Sequence, residues 1–592
     1  MSFRERPLKG YPSLRDSFDS TYQIRQPTNV LMTSGGGPAG RSGGRNVFLR
    51  NSSSPFVSDK ESSSVKQSDH CSLLREVLPK LRPFQREAYD FAIGEKSSSK
   101  SNNKPRNLGK ILLADEMGLG KTVTSLAIMA KYRDEWPLLI LCPASLRHIW
   151  PNEIEKWFPS LPSDHIYVVS GFDDADFYDN PSKRKRIEIV VATYSLLQTR
   201  SAAAKVLERF QFSCIIADES HNLKQKNSQR TKLVMPLLAN AKRLVLLSGT
   251  PALARPVELW TQLYSLDPEL FLSYTQYTKR YCNARRGRFG WDVNGLSNAD
   301  ELHGKLQQVM IRRLKNDVLH DLPSKQRTIV PIQIVNKETI KKCKTVMEEL
   351  SSTRKSVSEL LTTNPDQATD LHLEERQLLM RAYQMSGVAK ASPGVCDYLL
   401  EWLRGTTASN KIIVFGHHKA VLDVLEVAVS KEFKGTGHIR IDGSVNSQER
   451  ASRVRRFQNS GSVRVALLSV TAAGVGLTLT AASTVLFAEL HWTPGVLAQA
   501  EDRCHRIGQR NAVQVIYCVA QDPAVSIDSQ IWSMLGRKVG TLGKVVDGKK
   551  VGCNILNFLC HMCTVGTNIL ILYRLSGCYD GCSVGGEMRQ CG

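Results

Sequence analysis

The sequence predicts an α/β protein of two lobes, each a parallel sheet under helices, joined by a helical insertion and preceded by a disordered leader. Three observations carry this reading. Between Leu78 and Leu266, short aliphatic runs (KILLA, PLLILC, IEIVVA, SCIIA, RLVLLS) alternate with helical stretches, as strands buried on both faces of a parallel sheet do. From Asp267 to Leu400 the strands disappear, and ETIKKCKTVMEELSSTRKSVSELL and EERQLLMRAYQM have helical spacing. KIIVFG, HIRI, VRVALLS, TVLFAEL and VQVIYCV then restore the first pattern. The expected divisions are 1–75 for the leader, 76–266 for the first lobe, 267–400 for the helical insertion, 401–550 for the second lobe and 551–592 for a cysteine-rich tail.

The leader is rich in Ser, Gly and scattered charge, as in SGGGPAGRSGG and NSSSPF. No apolar periodicity survives there, so it cannot bury a core. Ser97–Asn107 is a polar loop inside the first lobe. Hydrophobic residues make up 42% of the 592, which excludes wholesale disorder and collagen-like or coiled-coil organisation. Lys and Arg number 79 against 56 Asp and Glu, a formal charge of +23, and that excess points to a polyanion, nucleic acid first. Fourteen cysteines in so long a chain do not make a disulfide framework, and MSFRERPLKGYPSL lacks the apolar core of a secretory signal. The apolar stretch Asn554–Tyr573 is broken by Asn557, His561, Thr564, Gly566, Thr567 and Asn568, which argues against a membrane span. A reduced, intracellular, soluble protein is expected. In the tail, Cys560-x-x-Cys563 and Cys578-x-x-x-Cys582 have zinc-ligand spacing, but the abrupt shift in composition favours a tail foreign to the fold over a zinc module.

Chemistry concentrates in three segments. ILLADEMGLGKT (111–122) runs from a buried strand through a glycine-rich turn into a helix. That geometry aims backbone N–H groups and a helix N-terminus at phosphate oxygens. Lys121 reaches the β- and γ-phosphates of a nucleotide and the Thr122 hydroxyl ligates Mg²⁺. Asp115 stands where the generic pattern expects its first Gly, so the match rests on Gly118, Gly120, Lys121 and Thr122, with Glu116, Met117 and Leu119 completing the turn. SCIIADESH (213–221) is an apolar strand ending in two carboxylates. Beside a phosphate loop, Asp218 can hold Mg²⁺ and Glu219 can orient or deprotonate a water. In QAEDRCHRIGQ (499–509), Arg503 and Arg506 at i and i+3 share one helix face and can enter a cleft together. Lys183–Arg186 reads equally as a nuclear-import patch or a solvated loop.

With these segments LRPFQREA, LCPASLRHIW, ATYSLL, LSGTP, VFGHHK and LLSVTAAGVGLTLT appear in order. The set resembles the Swi/Snf-like branch of helicase superfamily two, ATP-driven DNA translocases with two RecA-like lobes. The resemblance implies ATP and Mg²⁺ as cofactors and assigns roles by position. Gln85 matches the residue that reads the adenine edge, Lys121, Thr122, Asp218 and Glu219 the catalytic set, and Ser248 and Thr250 a motif coupling hydrolysis to DNA. Gln499, Arg503 and Arg506 match the second-lobe nucleotide motif, with Arg506 the first choice of arginine finger. Gly474 and Gly476 match a loop near the nucleotide. Ser145, Arg147, Thr193, His417 and Thr471 fall in motifs that line the DNA groove.

A narrower likeness is visible in LSGTPALARPVEL, WDVNGLSN, MIRRLKNDV and FAELHWTPG. These resemble the annealing-helicase, HepA-related branch, whose members rewind DNA held open by single-strand-binding protein and regress stalled forks. The implied partners are fork, branched or duplex DNA, with a single-strand-binding protein or replication factors, and the implied location is the nucleus. The sequence departs from that branch in its accessories: neither a duplicated substrate-recognition domain before the motor nor a His-Asn-His nuclease module after it is legible. A chromatin remodeller is the same-class rival. A catalytically silent DNA-binding scaffold is the rival of a different class, and the presence of every hydrolytic residue speaks against it.

Overall fold

The computed structural model describes residues 72–95, 106–169, 185–198, 207, 212–287, 290–319, 321–434, 437–471 and 477–548. The leader up to residue 71, Gly474, Gly476 and the tail cysteines lie outside them. The first lobe is a seven-stranded sheet in the order β3-β4-β2-β5-β6-β1-β9, with every pair parallel. Its strands are β1 (Lys110–Leu113), β2 (Leu138–Cys142), β3 (Ile166–Val168), β4 (Ile189–Thr193), β5 (Cys214–Asp218), β6 (Arg243–Leu247) and, after an antiparallel hairpin of β7 (Arg285–Gly287) and β8 (Gly290–Asp292), β9 (Met310–Ile311). The second lobe is a six-stranded parallel sheet in the order β10-β15-β14-β11-β13-β12. Its strands are β10 (Lys325–Ile332), β11 (Ile412–Gly416), β12 (Gly437–Ile441), β13 (Val463–Ser469), β14 (Thr484–Phe487) and β15 (Val513–Ala520).

Both faces of each sheet are covered, which is why the strands read as unbroken apolar runs. Leu112, Leu139 and Leu141 point into one core of the first lobe, while Ile111, Leu113 and Ile140 point into the other. The second lobe divides likewise, with Ile413 and Phe415 on one side and Ile412 and Val414 on the other. Each of these fully buried apolar side chains contributes roughly 1.5–3 kcal/mol.

The interval 267–400, expected to be free of strands, holds the β7–β8 hairpin, β9 and β10. Strand β9 has only two residues, too few to leave a pattern. Strand β10 forms the edge of the second sheet, where Pro331 is tolerated because one side of the strand needs no ladder partner. Its half-exposed alternation conceals it among polar residues. The helical part of the interval is a pair of long helices, Lys337–Thr363 and Pro365–Lys390. Their inner residues Val346, Leu350, Ala382 and Tyr383 pack into the second-lobe core. A C-terminal helix, Asp528–Val546, ties the lobes together. Ile531, Trp532 and Leu535 enter the second-lobe core, whereas Val545 and Val546 enter that of the first.

Candidate active site between the lobes

The candidate residues sit at the C-terminal ends of the parallel strands, the edge where open α/β sheets bind ligands. In the first lobe, β1 feeds the turn that ends at Gly120, the N-cap of the helix Lys121–Ala130. Gly118 and Gly120 have φ of 87° and 78°, a left-handed conformation that only glycine adopts without strain. A Cβ on Gly120 would also lie 2.4 Å from the Gln85 amide nitrogen. Gln85 is buried and clamps the turn: its Nε2 donates to the Leu119 carbonyl (2.9 Å) and its Oε1 accepts from the Arg82 N–H. Lys121 Nζ donates to the Asp115 carbonyl (2.8 Å) and the Glu116 carbonyl (3.4 Å), and burial lowers its pKa.

The rest of the turn faces elsewhere. Met117 and Leu119 are buried apolar side chains. The Asp115 carboxylate accepts from Arg313 Nε (3.0 Å) and Nη2 (2.9 Å), and Glu116 Oε2 accepts from the Lys315 N–H (2.7 Å). Only the backbone of these four residues remains for a phosphate.

At the end of β5, Asp218 Oδ2 accepts from Trp150 Nε1 (3.0 Å) and Oδ1 from the Glu219 N–H (2.9 Å). Each oxygen keeps a lone pair for a cation. Glu219 stands at φ 49°, ψ 50°, a conformation rare for a residue with a side chain and concentrated at functional sites. Burial and the neighbouring Glu219 charge push the Asp218 carboxyl up. Burial acts on Glu219 in the same sense, but His221, Lys121 and Arg503 outweigh it and hold that carboxyl down.

His221 begins a polar path across the cleft. Its Nδ1 lies 3.3 Å from Glu219 Oε2 and 3.1 Å from Ser248 Oγ. The Thr250 N–H donates to Ser248 Oγ (3.3 Å), and Gln499 Nε2 of the second lobe donates to Thr250 Oγ1 (2.8 Å).

From the second lobe come the two arginines. They do not share a helix face as expected: the helix Pro494–Glu501 ends before both. The Arg503 N–H bonds to the Ala500 carbonyl and the Cys504 N–H to that of Glu501, and these i→i−3 bonds tighten the chain out of α geometry. Arg503 is 0% exposed, and among the described residues its three guanidinium nitrogens have no hydrogen-bond partner. Burial and the Arg506 charge lower its pKa to about 9. Arg506, the residue first chosen as the finger, donates from Nε to the Asp502 carbonyl (2.9 Å) and from Nη1 to Thr478 (3.2 Å). Its Cγ would lie 3.1 Å from a Cβ on Gly118, so the arginine motif touches the phosphate turn directly.

The DNA-groove candidates follow the same edge. Ser145, whose buried hydroxyl has no partner among the described residues, and Arg147 come after β2. Thr193 is 4% exposed, and its hydroxyl caps the next helix by accepting from the Leu196 N–H. That hydroxyl also shares a hydrogen bond with Ser195 Oγ (3.0 Å). His417 follows β11, with Nδ1 buried and unpartnered among the described residues and its ring 5.4 Å from that of His491. Thr471 follows β13, is exposed and shares a hydrogen bond with Ser469 (2.8 Å).

The model of the SNF2-related domain matches residues 84–381, half of the chain. The chain belongs to the SNF2-related family. The model of the helicase conserved C-terminal domain matches residues 394–508. In this SNF2-related chain, therefore, Gln85, Lys121, Asp218 and Glu219 fall within the first match and Gln499, Arg503 and Arg506 within the second. Over 85% of this chain and 44% of the relative, it is 39% identical to the DNA annealing helicase and endonuclease ZRANB3 of Bos taurus. Over 79% of this chain and 62% of the relative, it is 37% identical to the SWI/SNF-related matrix-associated actin-dependent regulator of chromatin subfamily A-like protein 1 homolog of Caenorhabditis elegans. The SNF2-related chain thus spans under two thirds of the curated relatives it matches. The SWI2/SNF2 ATPase core of Sulfolobus solfataricus, solved with dsDNA, aligns at 22% identity over 81% of this chain and 96% of that one, with a TM-score of 0.34.

Sequence reasoning assigned no role to four residues that the SNF2-related fold brings to the site. His221 carries the polar path, and Trp150 holds Asp218. Arg313 and Lys315 lie in the crossing between lobes and hold Asp115 and Glu116. The available signal was a cluster of charge: MIRRLKNDV places three cations within four residues directly after Met310 and Ile311.

Proposed function

We propose that this chain is a DNA-dependent ATP hydrolase that moves along DNA and rewinds or remodels branched structures such as stalled replication forks in the nucleus. The observation that carries the proposal is the path Glu219–His221–Ser248–Thr250–Gln499. It connects the carboxylate at one lobe's strand end to a side chain of the other lobe, so a change at the nucleotide is felt as a change in lobe contact. The name of the Bos taurus relative, a DNA annealing helicase, supports the choice of DNA over RNA and of rewinding over other uses of the motor.

In this reading Lys121 and the turn 115–120 hold the β- and γ-phosphates, and Thr122 and Asp218 hold Mg²⁺. The ion supplies charge neutralisation between phosphates when bound. Glu219, kept ionised by His221, orients the attacking water and accepts its proton. Arg503 and Arg506 approach the γ-phosphoryl from the second lobe and stabilise the charge that develops there. Gln85, Gln499 and the 474–476 loop complete the nucleotide contacts. Ser145, Arg147, His417 and Thr471 contact the DNA backbone, which makes binding sequence-tolerant and salt-sensitive. A single-strand-binding protein or replication factor is the expected protein partner.

Steady-state ATPase rates with forked DNA, blunt duplex, single strand, nucleosomes and RNA test the proposal. Forked DNA is expected to stimulate most. Lys121→Ala and Glu219→Gln are expected to abolish turnover while DNA binding, read by anisotropy, stays within about twofold. A clear gain with nucleosomes over naked duplex would replace the fork reading with chromatin remodelling, which the Caenorhabditis elegans relative's name favours. Absence of stimulation by every nucleic acid would leave only a binding scaffold.

A further inference from the structure

Among the described residues, the strands of the β7–β8 hairpin contribute nothing to the core of the first lobe. All six of its strand residues are exposed, and an isolated two-stranded ribbon is marginal in water on its own. Trp291 is 58% exposed, and among the described residues no other tryptophan or phenylalanine is exposed. A lone exposed ring is ordinary on a protein surface; what sets Trp291 apart is the charge placed around it.

The chain around it is held firmly. Val293 and Leu296 pack against the first-lobe core. Ser297 Oγ donates to the Arg280 carbonyl (2.6 Å) and accepts from the Asn283 N–H (3.1 Å). Asn294 Oδ1 accepts from Arg255 Nη1, five residues beyond the Thr250 that meets Gln499. The ribbon is therefore fastened to the loop through which the two lobes communicate.

Its surroundings are cationic. Lys279 Nζ stands 5.8 Å from the Trp291 ring centre. Arg286 is directly opposite Trp291 in the ribbon register, so both side chains share one face. The ribbon's one carboxylate within the described strands, Asp292, is engaged by the Asn294 N–H (3.0 Å). An aromatic face rimmed by cations matches a nucleobase and its flanking phosphates. Bases inside a duplex stack on one another and offer no free face, whereas an unpaired base does.

We propose that the β7–β8 ribbon is a single-strand contact, in which Trp291 stacks on an unpaired base of a branched DNA while Arg286 and Lys279 hold the adjacent phosphates. The inference rests on the DNA-motor reading for its ligand and adds which part of the DNA is distinguished. The test is anisotropy with the full chain on two labelled DNAs, a blunt duplex and the same duplex bearing one single-stranded arm, with ATPase measured in parallel. Trp291→Ala should weaken binding of the armed DNA about tenfold, the scale of one base stacked on one ring, and leave the blunt duplex within about twofold. Trp291→Phe should restore most of the loss. An equal loss on both DNAs, or none on either, overturns the proposal. If neither DNA stimulates wild-type ATPase, yet Trp291→Ala still selectively weakens the armed DNA, the motor reading falls and this contact stands.

Discussion

Arg503 carries a positive charge out of reach of bulk solvent and, among the described residues, without a hydrogen-bond partner for its guanidinium, an arrangement that a fold supports only at a cost. The cost makes sense if the guanidinium awaits an anion, because a fixed cation in a dry site stabilises developing phosphoryl charge without reorganising. Arg503→Met should therefore raise the melting temperature of the nucleotide-free protein, remove most of the thermal shift given by an ATP analogue, and lower kcat about 10³-fold or more. Arg506→Met, which loses two hydrogen bonds, should lower the melting temperature instead. Undiminished kcat in Arg503→Met would return the finger role to Arg506. The motif made both arginines legible in the sequence, but not which of them is unpartnered. That difference arises from the turn after Glu501, and from Thr478 and the Asp502 carbonyl, which meet Arg506 only in three dimensions.

The element that sets those arginines is the crossing from β9 to β10, residues 312–324. Lys315, 1% exposed, donates from its N–H to Glu116 of the phosphate turn, and from Nζ to the His505 carbonyl (2.6 Å) and Asp502 (2.9 Å). Just beyond, Lys325 meets Glu501 and Asp502, and Arg327 meets Glu501. A buried ion network of this kind adds little net stability over an apolar core, but removing one partner is expensive. Lys315→Met should cost on the order of 3 kcal/mol in urea denaturation and lower kcat. Lys315→Arg should not restore activity, since a planar fork cannot occupy the space of a compact ammonium. Wild-type kcat in Lys315→Met would remove the crossing from the mechanism. This element was the least legible part of the chain, because a two-residue strand and an edge strand containing Pro331 fall below what periodicity detects. The central strands were legible because burial on both faces writes itself as an apolar run.

Across the whole molecule the two lobes are coupled by the polar path through Gln499, by the crossing and by the strap Asp528–Val546. The strap is fixed to the first lobe by Arg312–Asp547 (2.6 Å) and by His303 on the Val545 carbonyl (2.9 Å). The lobes' existence was readable from alternating strands and helices, but these couplings were not, since each joins residues far apart in sequence. Stability should accordingly depend on the charges packed at the junction. Glu501 is buried among Lys325, Arg327 and the Tyr517 hydroxyl. Burial alone would raise its pKa, but the two cations and the hydrogen bonds from Arg327 and Tyr517 prevail and bring it from 4.5 down to about 2. A carboxylate depressed in the folded state stabilises fully above its unfolded value and loses that contribution as pH falls through its folded value. Its share is therefore complete above pH 4.5 and drains away towards pH 2. Glu501→Gln, uncharged throughout, should be less stable than wild type at pH 6, and the gap between their urea midpoints should narrow steadily below pH 4.5. Other carboxylates protonate over the same range and weaken both proteins, so the difference between the two isolates this residue. A gap unchanged from pH 6 to pH 3 would mean that the junction does not draw its stability from the ionised Glu501.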